Sequence, residues 1–279
     1  MNALIFAAGL GTRLKPLTDT MPKAMVPVNG KPLVQILIEK LKSIGVTEIV
    51  INVHHFAQQI IDFVEVNDSF GIDIKFSDET DMLLETGGGL KKAARLFSND
   101  KPILVHNVDI LSNADLLSLY NNATSTTLLV SQRNTQRYLL FDKDDRLVGW
   151  TNIATGEVKS PFPEIKALEN NCQLSTVNCQ LKKFAFAGIQ VFHPSLLPLM
   201  DSWQGKFSII DFYLSICDKV DIKCHFDPQL QLLDVGKLDS IVKAEEFLSQ
   251  QCENWELIIC AVTAEDFGAN GATFYAESR

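Results

Sequence analysis

The sequence predicts a three-layer α/β domain with a mainly parallel central sheet. Apolar runs of strand length alternate with stretches whose apolar residues recur at helical spacing, and strand–helix–strand is the repeating unit of a parallel sheet. Two abrupt glycine-rich breaks, Gly9-Leu10-Gly11 and Gly87-Gly88-Gly89, interrupt this pattern, and two apolar runs end in a carboxylate, Asp109 and Asp234. In open parallel sheets ligands bind beyond the carboxyl ends of the strands, where the first break and both carboxylates fall.

The first strand, Leu4-Ile5-Phe6, empties into Ala7-Ala8-Gly9-Leu10-Gly11-Thr12-Arg13. Gly9 and Gly11 can take positive φ and carry no side chain, so backbone N–H groups there can point at phosphate oxygens. Arg13 adds a guanidinium that grips two oxygens at once, and Lys23 adds a mobile point charge. The P-loop needs a Gly-Lys-Ser/Thr that is absent, and the dinucleotide fingerprint needs a third glycine where Leu14 stands.

Pro32 opens a helix with Leu33, Ile36, Leu37, Leu41 and Ile44 on one face, and Gly45 ends it. Glu48–Val53 reads as the second buried strand. A helix follows near 57–65, a strand near 72–76, a helix near 90–96 and a strand over 102–107. The adjacent pair His54-His55 suits a loop better than a metal site, because neighbouring side chains on a regular element diverge and no third ligand stands nearby. Three successive glycines at 87–89 cost conformational entropy, so a close backbone approach is expected at Leu84-Glu85-Thr86-Gly87-Gly88-Gly89. Glu85 suits either a hydrogen bond to a base or ribose, or the first turn of a helix, where the dipole favours an acid. Asp109, ending its strand, suits either a turn cap or a ligand for a hard cation.

Further strands are expected at 127–131, 138–141 and 147–150, the last two joined by the turn Lys143-Asp144-Asp145. Residues 151–183 read as a loop. Phe184–Phe192 is a strand interrupted by Gly188, which marks a bulge or a close approach. Ser208 caps a helix that carries Asp211 in its first turn, and Leu232-Leu233-Asp234 ends at Val235-Gly236 before an amphipathic helix from Leu238. Residues 249–279 form an extension whose role the pattern does not indicate.

A net charge of −9 over 279 residues argues against general nucleic-acid or acidic-membrane binding, both of which favour a basic surface. A nucleotide would need a local basic site, and residues 9–31 supply Arg13, Lys15, Lys23 and Lys31 against the single acid Asp19. Six cysteines without C-x-x-C spacing, no signal-like start and no apolar run of membrane-spanning length lead us to expect a reduced, cytoplasmic protein.

The string Ala7-Ala8-Gly9-x-Gly11-Thr12-Arg13-Leu14-x-Pro16-Leu17-Thr18, followed by Pro22-Lys23 and Pro27-Val28, strongly resembles the signature of sugar-1-phosphate nucleotidyltransferases. The resemblance extends over about residues 2–248 and implies a Rossmann-like nucleotidyltransferase fold over 1–248, with a sugar-binding subregion at about 126–230. It implies transfer of a nucleoside monophosphate from a nucleoside triphosphate to a sugar 1-phosphate, with release of pyrophosphate. By the same resemblance Arg13 and Lys23 are the catalytic cations and Asp109 and Asp234 hold Mg²⁺. Ala7, Ala8, Gly9, Gly11, Thr12, Glu85, Thr86 and Gly87 line the nucleotide, and Asn107, Ala187 and Gly188 face the sugar, with Glu157 and Lys159 as further candidates. Val108 departs from the family's Asn-Gly-Asp, which is expected to narrow the site. Leu84–Gly89 and the compact length favour UTP with N-acetylmuramate 1-phosphate. GTP with mannose 1-phosphate, or dTTP or UTP with glucose 1-phosphate, are the alternatives. Outside catalysis, a nucleotide-sensing module without turnover fits the same pocket. Assembly with further copies of the chain is left open.

Overall fold

Buried parallel strands carry apolar side chains on both faces, so both faces must be covered. In this computed structural model, which describes residues 1–168 and 181–250, that is how the chain is arranged. The elements run β1 (Asn2–Phe6), β2 (Pro27–Val28), β3 (Lys31–Pro32), α1 (Leu33–Ser43), β4 (Glu48–Val53), α2 (Ala57–Val66), β5 (Asp73–Asp78) and α3 (Glu85–Ala93). There follow β6 (Ile103–Asn107), β7 (Ile110–Ser112), α4 (Leu116–Asn122), β8 (Thr126–Ser131), β9 (Arg137–Phe141), β10 (Leu147–Asn152), β11 (Glu157–Lys159) and α5 (Pro163–Lys166). Last come β12 (Lys182–Phe192), α6 (Ile209–Ile216), β13 (Ile222–Phe226) and β14 (Leu232–Asp234). Ala3 and Ile5 of β1, with Ile49 and Ile51 of β4, face a core shared with α1, α2 and α4. Leu4 and Val50 face the opposite core, which Leu90 of α3 and Phe212 of α6 close.

Among the described residues these strands form a ten-stranded sheet in the order β11-β10-β9-β12-β6-β1-β4-β5, with β8 and β13 branching from β12. The sheet is mixed. β6, β1, β4 and β5 are parallel to their neighbours in this half, whereas β12 runs antiparallel to β6, β8 and β9, and β9-β10-β11 is an antiparallel meander. The expected parallel strands form the half around β1 and recur where β13 pairs with β8, and the remaining pairings are antiparallel.

Two local expectations need correction. The three glycines lie inside α3, whose first residue is Glu85 rather than one near 90. A Cβ on Gly88 would sit 2.3 Å from the Gly205 carbonyl oxygen, and one on Gly87 would sit 2.4 Å from the Phe207 ring. The helix is thus pressed flat against 205–207, and the conformational cost of glycine is offset by that packing. The expected loop at 151–183 contains β11 and α5, and part of it, like most of the extension 249–279, lies outside the described residues. No helix among the described residues is long and apolar enough to cross a membrane.

Beside the parallel strands His106 is fully enclosed. Its Nδ1 lies 2.8 Å from the Asn107 carbonyl oxygen and therefore carries the proton, while Nε2 has no partner. Burial, aided by the charge of Lys40, pushes its pKa down to about 3. The folded state therefore refuses a proton that the unfolded chain accepts below the ordinary histidine range. The His106 effect on stability is absent at neutral pH, grows as pH falls from about 6.5 toward 3, and reaches about 2 kcal/mol near pH 5. Urea titrations at pH 7.5 and 5 should show His106→Asn losing less stability over this interval than the parent. At neutral pH, Gly88→Ala should lower unfolding stability by about 2–4 kcal/mol. Gly9→Ala, whose new Cβ would meet nothing within 4 Å, should change it by no more than about 0.5 kcal/mol.

Candidate active site

Parallel register places Phe6 of β1 level with Asn52 of β4 on one side and Asn107 of β6 on the other, so three strand ends open at one level. Beyond Phe6 the chain leaves the sheet, and its next amides need acceptors other than a strand ladder. Asn52 supplies one: its Oδ1 accepts from the Ala7 N–H at 2.6 Å and the Ala8 N–H at 3.2 Å. Its Nδ2 donates to Glu79 Oε1 at 2.9 Å, and Glu79 Oε2 accepts from the Leu84 N–H at 2.9 Å. Asn52 and Glu79 are both buried. This network was not anticipated from the sequence; the only signal was a polar residue next to the end of an apolar run.

The turn continues through Gly11, whose φ of 62° belongs to the left-handed region that glycine occupies freely. Its carbonyl accepts from Thr18 Oγ1 at 2.9 Å, and a Cβ there would lie 2.9 Å from Thr18 Cγ2 and 3.1 Å from Lys23 Cβ. The glycine therefore lets the turn close onto the segment that carries Lys23. A cavity of about 460 Å³ results. Ala7, Ala8, Gly9, Gly11, Thr12, Arg13, Lys23, Glu85, Thr86, Asn107 and Asp109 all line it.

At its charged end, Lys23 is 7% exposed and bonds directly to Asp109 Oδ2, with Asp234 Oδ1 3.9 Å from its Nζ. Arg13 Nη2 is 3.9 Å from Asp234 Oδ2. The two carboxylates are 125 positions apart in sequence, and a short ladder unites them: Asp234 of β14 pairs with Ile110 of β7, and the Val235 N–H donates to the Asp109 carbonyl at 2.8 Å. Gly236 permits this closure, since a Cβ there would lie 2.6 Å from Asp234 Oδ1 and 2.7 Å from Arg13 Nη2. Asp234 Oδ1 is buried with no hydrogen-bond partner. Two carboxylates converging on one cation, with an unsatisfied buried oxygen between them, fit a hard divalent ion that takes its remaining ligands from phosphate and water. Among the described residues no group of three or more potential metal ligands occurs.

Of the expected site residues, Gly87 and Ala187 lie outside the wall of this cavity. Gly87 packs on Phe207, to whose carbonyl its N–H donates at 2.9 Å, instead of lining the cavity. Ala187 is 1% exposed and packs into the core that Ile189 and Val191 of β12 also face. Val108 likewise packs into the core, so the cavity meets only its edge. Gly188, with φ 77°, abuts Asn107 of the cavity wall, where a Cβ would lie 2.8 Å from its Nδ2. Glu85 has a φ of 58°, unusual for a residue with a side chain, and pairs with Lys206 at 3.2 Å. Thr86 Oγ1 accepts from the Ile209 N–H at 3.0 Å, which leaves its hydroxyl hydrogen for the cavity.

The chain is 42% identical over 125 residues to N-acetylmuramate alpha-1-phosphate uridylyltransferase of Neisseria meningitidis serogroup B, covering 45% of this chain and 54% of that protein. It is 38% identical over 138 residues to mannose-1-phosphate guanyltransferase of Gibberella zeae, covering 47% and 38%. The matches to N-acetylmuramate alpha-1-phosphate uridylyltransferases span about half the length of those relatives. Its fold matches that of HddC from Yersinia pseudotuberculosis, solved with GMP-PN, at a TM-score of 0.65 and 22% identity over 88% of this chain and 99% of that one. The nucleotidyl transferase family model matches residues 2–251, nearly the whole of the described chain, and the protein belongs to that family.

Proposed function

We propose that the protein transfers UMP from UTP to N-acetylmuramate 1-phosphate, forming the UDP-sugar and pyrophosphate. The observation that carries this reading is the convergence of Arg13, Lys23, Asp109 and Asp234 at one end of a cavity walled by the glycine turn. A phosphate oxygen of the sugar 1-phosphate attacks the α-phosphorus, the bond from that phosphorus to the bridging oxygen breaks, and pyrophosphate departs with the electron pair. No protein nucleophile is required, so positioning and charge neutralisation supply the rate. Arg13, half-exposed at the mouth, holds the β- and γ-phosphates and follows the charge that develops on the leaving group. Lys23 lies within reach of both substrates' phosphates once a ligand competes for Asp109. Asp109 and Asp234 would hold Mg²⁺, which offsets phosphate charge when bound. Ala8, Gly9 and Thr86 border the nucleoside, and the acceptor enters beside Asn107 and Gly188. The catalytic unit comprises residues 1–248, with the acceptor subregion in 126–230.

The choice of substrates rests on the 42% and 41% identities to two N-acetylmuramate alpha-1-phosphate uridylyltransferases. GTP with mannose 1-phosphate is the second reading, on the 38% identity to a mannose-1-phosphate guanyltransferase.

Pyrophosphate release with Mg²⁺, measured for UTP, GTP, CTP, dTTP and ATP against N-acetylmuramate, N-acetylglucosamine, mannose and glucose 1-phosphates, should show UTP with the first sugar as the preferred pair. Nucleotide binding without release from any pair would instead identify a sensing module. With the active pair, Asp109→Asn should lower kcat about 100-fold or more while circular dichroism shows a retained fold. Ordinary turnover at ordinary Mg²⁺ would remove Asp109 from the site. Lys23→Ala should lower kcat/KM by a comparable factor, and unchanged kinetics would place Lys23 outside the reaction centre.

A further inference from the structure

A second cavity, of about 630 Å³, adjoins the first, with Glu85 in the wall of both. Strand register determines what faces it. Arg137 of β9 pairs with Asn152 of β10, which pairs with Glu157 of β11; Leu139 pairs with Trp150, which pairs with Lys159. Cross-strand partners and alternate residues project to the same side of a sheet, so Arg137, Asn152, Glu157, Trp150 and Lys159 share one face, opposite the start of α6.

The charges on this face are unevenly satisfied. Lys159 answers Asp211 at 3.0 Å and Glu157 at 4.0 Å, and Lys206 answers Glu85 at 3.2 Å. The two guanidinium groups in the wall have no such partner: among the described residues neither Arg133 nor Arg137 forms an ion pair with a carboxylate. Arg133 is anchored only by Nη2 donating to the Phe186 carbonyl at 3.0 Å. That carbonyl is two residues along β12 from Gly188, so Arg133 is held on the strand that passes Asn107. A sugar whose 1-phosphate lies by Lys23 and whose ring passes Asn107 and Gly188 therefore brings its far side to the two arginines. Planar forked cations with no internal counter-ion suit a carboxylate, which accepts two parallel N–H bonds from each.

We infer that the acceptor carries a carboxylate of its own besides its 1-phosphate, and that Arg137, with Arg133 beside it, is the residue that selects it. The inference rests on the proposed nucleotidyl transfer and narrows its acceptor to an acidic sugar. N-acetylmuramate has such a group on its lactyl ether, whereas N-acetylglucosamine, mannose and glucose have none.

The test compares N-acetylmuramate 1-phosphate with N-acetylglucosamine 1-phosphate, the same ring without the lactyl carboxylate, in steady-state pyrophosphate release with UTP. Calorimetric binding of both sugars to the nucleotide-loaded protein accompanies it. The parent should prefer the acidic sugar. Arg137→Gln should lower that preference in kcat/KM at least about tenfold through KM rather than kcat, and Arg137→Lys should restore part of it. Arg133→Gln should act in the same direction more weakly. An equal effect on both sugars, or no effect, overturns the assignment. If no pair turns over, the proposed reaction fails on its own, and binding decides the subsite: a parent that binds the two sugars equally overturns it, and a preference that Arg137→Gln abolishes supports it.

Discussion

The carboxamide of Asn52 is the interaction on which the site depends. A sheet can order a backbone only while neighbouring strands run beside it, and the chain leaves β1 at the point where phosphate-binding amides are wanted. Asn52, in register with Phe6, extends the order of the sheet by two residues through its bonds to Ala7 and Ala8. It is itself held by Glu79, and Glu79 leaves no room for a side chain at Gly89, where a Cβ would lie 2.8 Å from Oε1. One buried polar chain thus connects the glycine turn to the helix that forms the opposite wall. Its groups are paired, as burial in a low-dielectric interior requires.

The charged end of the cavity follows a second logic. Two aspartates are brought together by the β7–β14 ladder, which costs electrostatic repulsion unless a cation lies between them. Lys23 and Arg13 supply that cation from the turn segment, so the same four side chains balance one another before any ligand arrives. In the proposed reaction a triphosphate would compete for the lysine and arginine, and a divalent ion would take their place at the carboxylates.

What could be read in the sequence was whatever is local. The glycine turn, α1, β4 and β6 are consecutive apolar or small-residue patterns, and Asp109 and Asp234 each end an apolar run, so their positions at the strand ends followed directly. Asn52 and Glu79 were not legible, because their role lies in contacts between residues 45 and 27 positions apart. The glycine triplet was legible as a close approach but not as part of α3, because composition records only the missing side chains. The neighbours that require their absence, Phe207 and the Gly205 carbonyl, are more than a hundred residues away. The antiparallel half of the sheet depends on which strands β12 takes as neighbours, which no local pattern records.

The contact between α3 and residues 205–207 has a consequence for how such a protein can diversify. Gly87 donates to the Phe207 carbonyl, the Phe207 N–H donates to Leu84, and the Ile209 N–H donates to Thr86, so the walls of the two cavities are stitched along one seam. With a Cβ on Gly88 only 2.3 Å from a backbone oxygen, the seam has no slack to take up a bulkier residue. A lineage that enlarges one chamber by moving this helix also reshapes the other. Selectivity for the two halves of the product would then be inherited as a pair, altered together or not at all.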